Sequence, residues 1–291
     1  MHSFLKTVGF RTIKSRKDVE QLVRLIIEQG AERYMATLGG KTMFAEILLE
    51  VAENIGVALR GEYDEHGNFH MEHYFPYLKG QNVSSNETVF ISKRVDTDAF
   101  TGMCDDYRLG VSLIFYLQNV TDYVSGGYPD ERREHPITLA ALASEGKILL
   151  PTVSMKDVPV KEAVDTSGRT KLLEAARKGD KEAMEALTID DIDLYAQISK
   201  RLKTEDIYSI VETTFIPYGS ESDNYTILAI IESVSECANR ITGEELYCMN
   251  LRCNDLRFPV CISKKDLYGE PQPGRRFRGN IWMQGTVDFG R

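Results

Sequence analysis

Four carboxylates crowd one stretch of this chain: Asp96, Asp98, Asp105 and Asp106, in VDTDAFTGMCDDYRLG. Paired carboxylates can perform general acid–base chemistry or hold Mg²⁺ or Ca²⁺. The spacing fits no EF-hand loop, and no nearby strand supplies the rest of a site. A solvated loop between two strands is the plainer reading. If the chain is an enzyme acting on a small polar or sugar-like substrate, its acids are these.

Other reactive residue types fall short of a site. His70 and His73 stand three apart in an expected strand and point to opposite faces. His70 and Glu72 share a face, which makes two ligands and no third, and no HExxH is present, so no metal centre is expected. Gly40-Lys41-Thr42 looks like the tail of a phosphate-binding loop. The motif needs a glycine five residues earlier, where Met35 stands, and a turn explains the run. Cys104, Cys237, Cys248, Cys253 and Cys261 form no CxxC pair. Cys248 and Cys253 face opposite sides of a straight strand and read as small buried hydrophobes. No GxSxG elbow, GxGxxG fingerprint or Cys–His signature occurs, and no cofactor is implied.

The last strand offers a binding surface instead. Phe277, Ile281, Met283 and Val287 share one face, and Arg276, Arg278, Asn280, Trp282 and Gln284 the other. An aromatic between guanidinium and amide groups suits stacking or peptide binding, which makes Arg276, Arg278 and Trp282 candidate binding residues. The competing reading is that helices or a partner subunit lie over Trp282, the only tryptophan.

These residues need elements to position them. Ser15–Gln29 reads as a helix capped by Ser15, with Val19, Leu22, Val23, Ile26 and Ile27 as its apolar stripe. Strands are expected over Met43–Val51, Gly56–Tyr63, Asn68–Leu78, Thr88–Lys93, Leu109–Tyr123 and Pro136–Ala143, with Lys147–Val153 a further candidate. The Glu65–Asn68 turn marks a hairpin. From residue 205 five β-branched and aromatic runs, bounded by Gly, Asn, Asp or Pro, read as a small closed barrel. Between them lies a helical stretch with caps at Thr166 or Ser167, Asp180 and Thr188. The fold class is therefore α+β. Residues 1–160 form an antiparallel sheet with one or two helices, 161–204 a bracing helical segment, and 205–291 a five-stranded OB-like barrel.

Composition narrows the partners. The net charge is −9, with 24 acids against 18 bases over residues 1–165 and 20 against 17 beyond. Nucleic-acid binding rests on a surplus of bases that neither half has. The longest uncharged run, Leu109–Thr121, is too short and too polar to span a bilayer. With no signal-peptide pattern and an odd number of cysteines, a cytoplasmic protein is expected. The partner is then a protein or a small molecule, with a second copy of the chain also open. Small barrels are commonly binding modules, so a non-enzymatic binding or scaffold role leads.

Three passages carry a resemblance: MHSFLKTVGF, AARKGDKEAMEALTIDDIDLYAQIS and CNDLRFPVCISKKDLYGEPQPGRRFRGNIWMQG. Together they resemble an uncharacterised bacterial family, a domain of unknown function found mainly in anaerobic Gram-positive bacteria. The likeness runs along nearly the whole chain. It implies a stand-alone cytosolic protein of about this length and no named chemistry.

Overall fold

The computed structural model describes residues 2–38, 42–94, 99–126, 133–151, 175, 180, 182–183, 211–218 and 222–290, and most of them are in strands. The chain divides into residues 1–149 with 213–291, and residues 150–212. The helical segment expected over 161–204 lies almost wholly outside the described residues. Asp180 is an exception, its carboxylate accepting from the backbone N–H groups of Glu182 (3.0 Å) and Ala183 (3.2 Å).

A 3-10 helix, Ser3–Val8, precedes α1 (Arg16–Gln29). α1 begins where residue types dictate. Ser15 Oγ accepts from the Asp18 N–H at 3.2 Å, and Asp18 accepts from the Ser15 N–H at 2.8 Å. That reciprocal pair satisfies donors the first turn leaves open. β1 (Glu32–Leu38), β2 (Thr42–Ala52), β3 (Ile55–Tyr63) and β4 (Phe69–Leu78) form an antiparallel meander. The hairpin turn between β3 and β4 is where it was expected: Asp64 accepts from the backbone of His66 and Asn68, both at 2.8 Å, and Gly67 has φ 79°. β3 is buried on both faces from Ile55 to Gly61. Leu22 and Ile26 of α1 join one core with Ile47, Val57 and Leu59 of this sheet.

A second sheet closes on itself. β9 (His135–Leu149), β11 (Asn224–Ala238), β12 (Glu245–Cys253), β13 (Leu256–Ser263) and β15 (Arg276–Val287) pair in the ring β11–β12–β13–β9–β15–β11. Every step is antiparallel except β13–β9. Closure leaves these strands without open edges. The expected closed barrel is present, but its staves differ from those expected. Among the described residues the run before Gly219 supplies β10 (Thr214–Pro217), attached outside the ring to β11, and β9 takes the fifth place. Sequence reasoning had no access to this exchange, because β9 lies far upstream and meets β13 at two rungs only.

The barrel interior is apolar, with Phe277, Ile281, Met283, Met249, Leu251 and Val260 in one cluster. Each large side chain buried this way contributes about 1.5–3 kcal/mol. Gly146 and Gly279 face each other across β9 and β15, and a Cβ on either would come within 2.3 or 2.5 Å of the Phe277 ring.

Outside the ring, β15 pairs in parallel with β8 (Val111–Leu117), which carries β7 (Phe100–Asp106) and then β6 (Phe90–Lys93). β5 (Ser85–Glu87) and β14 (Leu267–Tyr268) add to β9, and α2 (Val120–Val124) follows β8. Local expectations change at three places. Pro136–Ala143 and the run from Lys147 are one strand, because Ser144 forms a bulge opposite Asn280–Ile281 and not a turn. Leu109–Tyr123 splits into a strand and a helix at Asn119. Half of the expected acidic loop is a strand, β7, paired along its length with β8.

Candidate binding surface

β15 separates two environments by simple alternation. Phe277, Ile281, Met283 and Val287 line the barrel interior, as their spacing implied, and Trp282 and Gln284 project outward. The outward face is not the open surface expected of Arg276, Arg278 and Trp282. Trp282 is 5% exposed. Its indole N–H donates to Asp223 at 2.9 Å, and its ring centroid lies 4.8 Å from His2, 5.4 Å from Phe4 and 5.0 Å from Tyr116. The cover comes from the N-terminal 3-10 helix and its capping residue, His2. Arg276 is buried and Arg278 half-buried further along the strand. Between them and the indole, Asn280 donates to Glu145 at 2.7 Å and accepts from Thr226 at 2.8 Å. The three candidates therefore do not converge on one open site.

A buried polar seam joins the first sheet to β8 and β15. Arg60, wholly buried, pairs with Glu46 and donates to Tyr116 Oη (2.7 Å), Leu117 O (3.0 Å) and Gln118 O (2.7 Å). Its guanidinium carbon lies 4.5 Å from the Phe75 ring centroid and 5.1 Å from that of Tyr116. Burial pushes the Glu46 carboxyl above its ordinary range, against the pull of Arg60. Burial likewise raises the Tyr116 hydroxyl. His73 Nε2 lies 3.0 Å from Tyr116 Oη. Gln118 and Gln284 share a hydrogen bond of 2.8 Å, and each also holds a β4 carbonyl, Leu78 O at 2.9 Å and Pro76 O at 2.8 Å. Arg60, Glu46, Tyr116, Gln118 and Gln284 hydrogen-bond to one another and to nearby carbonyls, which is what burying them demands. Sequence reasoning missed the seam. Its signal was an arginine closing an apolar run, IGVALR, in register with Glu46, the one charge in FAEILL.

Of the acidic cluster, Asp96 and Asp98 lie outside the described residues. Asp105 and Asp106 are neighbours on β7 and point apart. Asp105 is exposed and accepts from Ser112 Oγ at 2.6 Å. Asp106 is buried and accepts from Ser85 Oγ (2.7 Å) and from Arg108 Nε (2.9 Å) and Nη2 (2.5 Å). Burial alone would raise the Asp106 carboxyl, but the Arg108 and Ser85 hydrogen bonds outweigh it and hold it below the ordinary range. Asp106 thus ties β5 to the β7–β8 turn. His70 and His73 do not take opposite faces as expected: a bulge at Glu72 sets them opposite Glu62 and Arg60 on one face, where His70 turns to Asp64 at 3.0 Å and His73 to Tyr116. Among the described residues no group of three or more His, Cys, Asp or Glu is placed to hold a metal ion. No described helix is long and apolar enough to cross a membrane.

The open surface lies beyond the seam. Phe90, Met103 and Ile114 are directly opposed across β6, β7 and β8, on the face that carries Ser92, Thr101 and Tyr116. Phe90 is 46% and Met103 42% exposed. Among the described residues β6 pairs with β7 alone. Just past β6, the Arg94 side chain is 37% exposed, and its Nη2 donates to Asp223 at 2.7 Å. The carboxylate that receives the Trp282 indole therefore also anchors a cation at the surface. The interior faces explain the rest of the extension: Ile91, Cys104, Leu113 and Phe115 pack into the barrel cluster.

Compared with known proteins, the chain has no significant match among curated proteins or solved structures. Residues 5–285 match the family model described as a domain of unknown function named for an E. rectale gene, DUF3881, and the chain belongs to that family.

Proposed function

We propose that the protein is a binding protein, with an extended polypeptide segment laid along β6 as its ligand. The observation that carries this is the Phe90–Met103–Ile114 row, two members of it well exposed, crossing the outward face of β8, β7 and the edge strand β6. An open sheet edge fixes an added strand through main-chain hydrogen bonds, and alternate side chains then supply selectivity. Exposed apolar side chains set in register favour an apolar counterpart. Arg94, steadied by Asp223, has N–H donors left for a carboxylate. The fitting segment is apolar at alternate positions and acidic at the Arg94 end.

The barrel serves as scaffold in this reading. Its pairing order is that of an OB barrel whose last strand has been moved to the front of the chain. The 3-10 turn Lys264–Asp266 falls between the third and fourth staves of that order. OB folds bind ligands on the outer face of staves two and three and the loop joining one and two. Here the chain's own N-terminus occupies that ground. Cys261 Sγ donates to Thr7 O at 3.3 Å, Asn239 Nδ2 to Val8 O at 2.8 Å, and Thr242 Oγ1 to Gly9 O at 2.7 Å. Docking is thereby displaced to the β6–β8 extension.

The test is selection of a random displayed peptide library on the immobilised full chain. Peptides with alternating apolar residues and an acidic end are expected, and Phe90→Asp or Met103→Asp should weaken the recovered peptides at least about tenfold, equivalent to 1.4 kcal/mol. Arg94→Gln should weaken only those with the acidic end. Failure to enrich any peptide, or enrichment indifferent to the Phe90 and Met103 variants, removes the proposal.

A further inference from the structure

Three cysteines stand in a row on the outer face of three adjacent staves. Cys248 is directly opposite Cys261 across β12 and β13, and diagonal to Cys237 across β11 and β12, where Cys237 pairs with Leu246 and Cys248 with Ser235. The Cys237 and Cys248 sulfurs are 3.9 Å apart. Both are partly buried, whereas Cys261 is fully buried and donates to Thr7 O. Cys104 and Cys253 belong to the barrel cluster instead.

We propose that Cys237 and Cys248 are a redox pair that a small-molecule disulfide converts to an intramolecular disulfide. The Cys237 thiolate attacks the disulfide RSSR, forming a mixed disulfide and releasing RS⁻. The Cys248 thiolate then attacks the Cys237 sulfur, forming the Cys237–Cys248 bond and releasing the second RS⁻. Two thiols of the protein are oxidised, one RSSR is reduced to two RSH, and the two cysteine protons end on the leaving thiolates. Bonding requires the sulfurs to close from 3.9 Å to about 2.05 Å.

The location gives the bond an effect. It would close the end of the β11–β12 hairpin, whose turn grips the N-terminal segment. Asn239 and Thr242 hold Val8 and Gly9, Glu244 pairs with Arg11 at 3.2 Å, and the Arg240 N–H donates to Val51 O at 2.8 Å. Oxidation therefore stiffens the grip. The hydrogen bond between the two thiols, together with burial, raises Cys237, while Cys261 and burial outweigh Cys237 in raising Cys248. The reaction is accordingly slow at neutral pH and faster in alkali.

The experiment treats the native full chain with bis(2-hydroxyethyl) disulfide at about pH 8.5, near the ordinary pKa of a free thiol. Intact mass should fall by the two hydrogens lost, and peptide mapping should find Cys237 joined to Cys248. Maleimide labelling of Cys237 should drop at least about tenfold, and amide exchange over residues 5–10 should slow. Cys237→Ser, at a half-exposed position, should abolish the mass loss, and Cys261→Ser should leave it in place. A persistent mixed disulfide on Cys237, a bond between any other two cysteines, or no reaction of the folded chain would each overturn the assignment.

Discussion

β15 is buried along both faces, but the two burials are of different kinds. Inside the barrel it meets aliphatic, aromatic and sulfur side chains, and the fit is set by volume, down to two glycines that leave room for one phenyl ring. Toward the first sheet its Trp282 and Gln284 meet Asp223, Tyr116, Gln118 and the Pro76 carbonyl, beside the Arg60–Glu46 pair, and the fit is set by direction. A dry core accepts many arrangements of similar volume, whereas a hydrogen-bonded polar seam accepts few, since each unmade hydrogen bond costs about 1–3 kcal/mol. The interior therefore supplies stability and the seam supplies registration between the sheets.

The comparison breaks first at Arg60. Arg60→Met leaves Glu46 buried without its counter-charge and should cost about 3–5 kcal/mol in chemical denaturation. Adding Glu46→Leu should restore much of that loss. If the double variant is no more stable than the single, the seam does not act through charge burial. On the dry side, Gly146→Val forces the Phe277 ring aside and should cost about 1–3 kcal/mol, with no change in Trp282 emission. An emission shift equal to that of Arg60→Met would mean that the two regions are not separable.

Smaller effects come from titration. The Asp106 carboxyl is held below its ordinary 3.8, so its contribution is complete above that value and is lost as pH falls through the lowered one. The stability gap between the native chain and Asp106→Asn should shrink as pH falls below 3.8, and a constant gap would refute the pairing. Burial pushes the His2 imidazole from 6.5 down to about 4. The neutral ring is the form that packs on Trp282, so its contribution is full above the unfolded value and disappears as pH falls through about 4. Trp282 emission should fall over that window, and His2→Gln should abolish the transition. Emission that titrates identically in the variant would assign the change elsewhere.

Much of the local structure was legible in the sequence. The α1 cap, the Asp64–Asn68 turn and the two faces of β15 follow from residue type and alternation, both short-range signals. β7 was hidden because Gly102 and the Asp105–Asp106 pair carry turn chemistry, which pairing with β8 overrides. The cover over Trp282 was hidden for another reason. Nothing in His2 or Phe4 announces a partner 280 residues away; only the folded chain brings them to it. The seam combines both difficulties, since its residues are individually ordinary and come from five strands and the segments after β6, after β8 and before β11.

The ring takes one stave from before residue 150 and four from after residue 212. Severing the backbone anywhere in that interval leaves two polypeptides that are each an incomplete cylinder. Neither half can satisfy its strand edges alone, and each is the other's missing wall. Co-expressed as separate chains, residues 1–149 and 213–291 should reassemble, which makes this architecture a natural split protein.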